Sequence, residues 1–180
     1  MQLTFLFVVL IVALLVLSAS SHTAKQESGA PPLPAEAQRL EAWVGTWDAE
    51  VSMMGETSQG SETCRIECGG HWLVTEHSGS FLGGPFQGRG LTGFDAAKGT
   101  YAGVWVDSSG SPMSLYTDGR FSADGKTFSA EVEGLDPTGK PARFEYRSSF
   151  PEAKKRTFEI FQLAGGKKEL VMSIRYSKRS

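Results

Sequence analysis

Cys64, Cys68, His71 and His77 fall within one short stretch, TCRIECGGHWLVTEH. They are the residue types here that could hold a metal or supply a thiolate nucleophile. Cys64 and Cys68 sit on a segment that reads as a strand, where residues four apart lie about 13 Å from each other. A disulfide tolerates a Cα separation of only about 7 Å. The thiols are therefore expected to stay free, as small buried side chains sharing a face with Ile66. If Gly69-Gly70 forms a two-residue turn, Cys68 falls opposite His71 and Cys64 opposite Thr75, with His77 on the same face. That leaves Cys64 and His77 far along the ladder from Cys68 and His71. Zinc wants three or four converging ligands, so no metal site is expected, and no cofactor; haem ligation by a histidine is set aside with it.

Catalytic patterns are scarce. The sequence has no Gly-x-Ser-x-Gly elbow, no His-Glu-x-x-His and no phosphate loop. Asp48 and Glu50 alternate with apolar residues on one segment. Glu131 and Glu133 alternate with Phe128, Ala130 and Val132 on another. Carboxylates on such faces are more often solubilising than catalytic, with a hidden acid–base pair as the alternative. No catalytic residue is assigned.

Whatever chemistry exists must be positioned by short strands. AEAQRLEAWVG places Ala37, Leu40, Trp43 and Val44 at helical spacing, and Gly45 can end that helix. From TWDAEVSMM onward the period is two. Strands are expected near 46–54, 60–68, 71–81, 86–94, 100–107, 112–121, 126–135, 140–150, 156–163 and 168–177. Turn chemistry separates them, in DAAKG, DSSG, ADG, DPTG and AGGK. Every link is too short for a parallel crossover, so successive strands should pair antiparallel. About ten such strands bury their apolar faces most simply by closing into an up-and-down barrel behind the short N-terminal helix. Closure also removes exposed edges. An open β-sandwich is the competing fold, and it would need longer Greek-key links.

The chain has 180 residues, 40% of them hydrophobic and 21% charged, with net charge -2. That suits one globular domain and gives no general basic field for nucleic acid. From Pro151 onward there are eight basic residues, Lys154, Lys155, Arg156, Lys167, Lys168, Arg175, Lys178 and Arg179, against three acidic ones. They read as a solvated edge and tail. Residues 1–20, with an apolar run from Leu3 to Leu17 followed by Ser18-Ala19-Ser20, read as a signal peptide. The run is shorter than a membrane span prefers. Residues 21–34 read as a linker, and residues 35–180 as the barrel domain. The protein is expected to be secreted or periplasmic, meeting a membrane only if the N-terminal segment stays uncleaved.

LEAWVGTWDAEV, GGHWLV, PFQGRGLTGFD, YAGVWVDS and ADGKTF together resemble the bacterial domain-of-unknown-function family 1579, over most of Leu40 to Tyr176. GRGLTGFD is the most specific piece. The resemblance implies a lipocalin-like barrel. Gly45-Thr46-Trp47 also looks like the Gly-x-Trp signature that opens the first strand of lipocalins. That likeness implies a packing role for Trp47 at a closed end, near an arginine of the last strand. Arg175 is the candidate, although it alternates with the apolar face of Leu170, Met172, Ile174 and Tyr176.

The inward faces offer a lining. Phe128, Phe144, Tyr146, Phe158 and Met172 occupy strand positions flanked by polar neighbours. Tyr101 and Trp105 alternate with Val104 and Val106, as on a strand buried on both sides. In FQGRGLTGFD, Phe86, Gly88, Gly90, Thr92 and Phe94 share one face. Phe86 and Phe94 want burial, so the glycines are expected inward, leaving room in the barrel. Arg89 then points to water; in the reverse phase it would enter the barrel as an anion anchor. These readings point to an exported barrel that binds or carries a small apolar or amphipathic molecule. A structural or interaction module of the cell envelope, with a filled barrel, stays open beside it, and so does an enzyme with a site inside.

Overall fold

The structure, a computed structural model, describes residues 32–81 and 83–180. The signal-peptide reading lies outside the described residues, as does the linker reading apart from residues 32–34.

A four-residue α-helix, α1 (Ala35–Gln38), continues directly into a 3-10 turn, Arg39–Trp43. The expected helix therefore tightens halfway. Ala37, Leu40 and Trp43 are buried, so its apolar face is the one the spacing selects. Gly45 then takes φ 133°, a value open to glycine, and the chain leaves the helix for the first strand.

Ten strands follow: β1 (Gly45–Met53), β2 (Glu56–Glu67), β3 (Trp72–Phe81), β4 (Gly84–Asp95) and β5 (Thr100–Asp107). They continue as β6 (Ser114–Phe121), β7 (Thr127–Leu135), β8 (Pro141–Glu152), β9 (Lys155–Ala164) and β10 (Lys167–Lys178). Each pairs antiparallel with its sequence neighbour, and β1 pairs with β10 from Trp47↔Lys178 to Met53↔Met172. The sheet is therefore a closed barrel, as the short links require. β2 begins earlier than its pattern suggests. Met54 and Gly55, at φ 53° and 81°, make a two-residue turn, a geometry that matches hairpin twist.

The helix and its 3-10 turn plug one end of the barrel. Leu40 and Trp43 pack with Cys64, Leu73, Tyr101, Phe128 and Ala130. The Trp43 indole meets Phe121, Phe128 and Phe150 edge to face at 5.6, 5.6 and 4.6 Å, a favoured aromatic geometry. Tyr101 Oη donates to the Glu36 carbonyl at 2.6 Å, and Trp47 Nε1 donates to the Trp43 carbonyl at 2.7 Å. These two bonds tie the plug to the wall.

Among the described residues no helix lies across the opposite end, which is termed the mouth. Among the described residues, β6 and β7 pair only at Arg120↔Ser129 and Phe121↔Phe128, near the plug. Beyond that point their ladder stops, while β7 and β8 stay paired from Thr127↔Ser149 to Leu135↔Pro141. Exposed Met113, Leu115 and Leu135 flank this seam. β5 differs from its expected burial on both sides. Tyr101, Gly103 and Trp105 face inward, whereas Val106 is exposed on the outer wall.

Candidate functional site

Just above the plug, four strands bring a polar cluster into the barrel. Glu62 on β2 lies opposite Trp47 on β1 and His77 on β3. Arg156 is the second residue of β9 and pairs in register with Tyr176 on β10. Each shares strand parity with apolar inner-face residues: Glu62 with Cys64 and Ile66, Arg156 with Phe158 and Ile160. The pleat therefore carries them inside. Glu62 and Arg156 are each 4% exposed, and His77 is 7% exposed.

Arg156 Nη2 donates to Glu62 Oε1. Tyr176 Oη donates to Glu62 Oε2 at 2.8 Å, and the Cys64 thiol donates to Oε1 at 3.3 Å. His77 Nδ1 stands 3.7 Å from Oε2. The guanidinium lies 3.8 Å from the Tyr176 ring centre and 5.1 Å from that of Trp47, at cation–π distances. Arg156 Nε is fully enclosed and has no partner among the described residues.

The electrostatics follow from this packing. Burial alone would push the Glu62 carboxyl up. The charge of Arg156 and the surrounding hydrogen bonds override it, and the carboxyl falls to about 2. Burial disfavours the Arg156 charge, and Glu62 beside it reverses that and holds the guanidinium charged. Burial, then the Glu62 charge, raise the Cys64 thiol to about 12. The thiol is thus a neutral donor, without the thiolate character that reactivity requires. Burial and Glu62 likewise hold the Tyr176 phenol well above its usual range.

The Glu62 shift makes stability depend on pH. Its folded value lies below the ordinary 4.5. The stabilisation is therefore complete above about 4.5 and is lost as pH falls through about 2. Urea unfolding at stepped pH should show stability declining across that window, by on the order of 3 kcal/mol. Glu62→Gln should flatten the decline. An equally steep decline in that variant would assign the loss to other carboxylates.

The other expected site residues divide into three groups. Phe86, Phe144, Tyr146, Phe158 and Met172 are on the inner face and half-buried. Tyr146 and Phe158 stand at 5.5 Å, and Tyr146 Oη on β8 meets Ser114 Oγ on β6 at 3.2 Å. Phe128 is instead enclosed within the plug cluster, with Phe121 at 5.4 Å and Tyr101 at 5.6 Å. It fills the closed end. Gly88 and Gly90 face inward, but the room they leave is occupied by the Trp105 indole. A Cβ on Gly88 would fall 2.1 Å from Trp105 Cζ2, and one on Gly90 would fall 3.1 Å from Cε3. The lumen surface there is the indole, held by its Nε1 donating to Asp107 Oδ2 at 3.0 Å. Gly93 serves the outer wall in the same way, beneath Trp72. Large aromatics lying over strand glycines pin the register of neighbouring strands.

Arg89 is outside, as the glycine-inward phase expects, with its side chain 77% exposed and 3.3 Å from Glu76; the reverse phase, with Arg89 as an interior anion anchor, is the one excluded. The arginine expected beside Trp47 requires correction. Arg175 is also outside, 71% exposed and paired with Glu50. The arginine stacked near buried Trp47 is Arg156, from β9, and not a member of a solvated basic edge. Its parity with Phe158 and Ile160 was the available signal. Cys68 is exposed at φ 51°, unlike buried Cys64, because it lies in the turn rather than the strand. Both are free thiols.

No curated protein matches the sequence. Among solved structures, the redesigned β-barrel b11L5F_LGL is similar at 13% identity and TM-score 0.43, covering 79% of this chain and 96% of that chain. The redesigned β-barrel mFAP1, bound to DFHBI, is similar at 16% identity and TM-score 0.39, covering 78% and 98%. Over residues 34–178 the sequence matches a protein family of unknown function, DUF1579, and the chain belongs to that family.

Proposed function

We propose that the barrel binds a small apolar or amphipathic molecule in the half of its lumen nearest the mouth. One observation carries this reading. Phe86, Phe144, Tyr146, Phe158 and Met172 face inward yet remain half-buried, whereas the plug cluster is closed. Side chains inside a filled barrel would be enclosed, as Phe128 is. Apolar surface left accessible in a concavity is what small-molecule sites offer. Met113, Leu115 and Leu135, exposed beside the short β6–β7 ladder, add apolar surface near the same end. The apolar Leu3–Leu17 run, followed by small residues, supports export, which would place the barrel outside the cytoplasm.

The test uses N-phenyl-1-naphthylamine, an uncharged probe that fluoresces in apolar surroundings. Its emission should rise and saturate with the full chain. Phe144→Arg, which puts a charge on the half-buried inner face, should weaken binding at least roughly tenfold, since burying an unpaired charge costs more than that factor requires. No enhancement with the wild type, or undiminished binding by a folded Phe144→Arg variant, would overturn the reading.

A further inference from the structure

His77 stands where the closed polar cluster meets the open lumen. Its Nδ1 faces the Glu62 carboxylate at 3.7 Å. Its ring meets Phe86, one of the half-buried lumen residues, edge to face at 5.9 Å. Its Nε2 lies over the paired glycines of β2 and β3. A Cβ on Gly60 would fall 2.9 Å from Nε2, and one on Gly79 would fall 3.5 Å away. Side chains there would press first on strand backbone, the Ser78 carbonyl at 2.8 Å and Gly60 Cα at 2.9 Å, and on the ring as well, so the glycine pair lets the two strands and the imidazole pack closely. No described residue hydrogen-bonds Nε2. The ring is buried, and Phe86 is its aromatic neighbour, so Nε2 is an unpartnered nitrogen beside the lumen residues.

The two ring nitrogens have different neighbours: Nδ1 faces the Glu62 carboxylate and Nε2 does not. In the neutral imidazole a carboxylate facing Nδ1 favours the proton there and leaves Nε2 as the acceptor. Resting on the binding reading above, we infer that His77 Nε2 is the polar anchor of the lumen, and that it selects an uncharged ligand bearing a hydroxyl or phenol donor. The charge balance inside the barrel points the same way. Arg156 and Glu62 neutralise each other, with the guanidinium held between Trp47 and Tyr176. Arg89 and Arg175 are outside, paired with Glu76 and Glu50. A ligand carboxylate would meet a lone pair at Nε2 and the Glu62 charge behind it, with no free arginine in the lumen among the described residues.

Three naphthalenes of similar shape separate the outcomes when they compete with N-phenyl-1-naphthylamine at neutral pH: 2-naphthol, 2-methylnaphthalene and 2-naphthoate. The hydroxyl compound should displace the probe at roughly tenfold lower concentration than the methyl compound, the worth of one hydrogen bond to an otherwise unpaired buried group. 2-Naphthoate should be the weakest of the three. His77→Phe should bring 2-naphthol down to the level of 2-methylnaphthalene while leaving the latter's binding in place. A second readout on the wild type does not depend on that variant folding: the 15N resonance of His77 Nε2 should shift with 2-naphthol and stay put with 2-methylnaphthalene. Equal displacement by all three, tightest binding of 2-naphthoate, or an unmoved Nε2 resonance would overturn the anchor and leave lumen binding standing. Failure of all three and of the probe would overturn both.

Discussion

Arg156→Met is expected to destabilise the barrel by about 3–5 kcal/mol, because it leaves the Glu62 carboxylate buried without its counter-charge. The methionine itself is a reasonable filler between the Trp47 and Tyr176 rings, being flexible and well disposed to aromatic contact. The loss therefore belongs to Glu62, whose remaining partners are the Tyr176 hydroxyl, the Cys64 thiol and the facing His77. Urea denaturation of the single and double variants separates the terms. Glu62→Gln added to Arg156→Met removes the stranded charge and keeps an acceptor for Tyr176, so the double variant should be more stable than Arg156→Met by about 2 kcal/mol. If the double variant is instead the weaker, the pair contributes through packing rather than charge. A near-neutral Arg156→Met would show that Glu62 accepts a proton at little cost, contrary to its depressed ionisation range.

Much of this architecture is legible in the sequence because the relevant signals are local. Period-two alternation and turn residues locate all ten strands to within a few positions, and the short links force antiparallel neighbours. Two hairpins are misplaced in detail: β1–β2, since Met54 at φ 53° gives no turn signal of its own, and β2–β3, where the turn takes in Cys68 and His71 beside the two glycines. The polar cluster is a different matter. Glu62 and Arg156 are far apart in sequence and touch only because the barrel closes with a particular register. Alternation shows which face a residue takes, yet it says nothing of what stands across the lumen. Arg156 illustrates how charge composition misleads. It follows Lys154 and Lys155, and one step along the pleat takes it from water to the interior. The glycines of GRGLTG pose the same limit. Their inward or outward phase follows from Phe86 and Phe94. The large side chains that cover them, Trp105 and Trp72, follow from the β3–β4 and β4–β5 registers.

Trp43→Ala should cost a further large fraction of the barrel's stability, about 3–5 kcal/mol, by emptying the centre of the plug. The indole is the hub of three edge-to-face contacts, with Phe121, Phe128 and Phe150. Those rings are anchored on three different strands, so the vacated space has little freedom to collapse. The bond from Trp47 Nε1 uses the Trp43 carbonyl and is available to alanine as well, so the loss is one of packing. The consequence should extend beyond ΔG. A four-residue α-helix with no side-chain cap, followed by five residues of 3-10 turn, lacks the length to hold itself together in water. Its order is supplied by Leu40 and Trp43 docking into the barrel. Amide exchange across residues 35–44 should therefore accelerate in Trp43→Ala more than exchange in β1 or β10, with local opening preceding global unfolding. Exchange that rises equally everywhere would mean that the plug and the barrel unfold as one unit. A stability loss below about 1 kcal/mol would mean that the three phenylalanines close over the void.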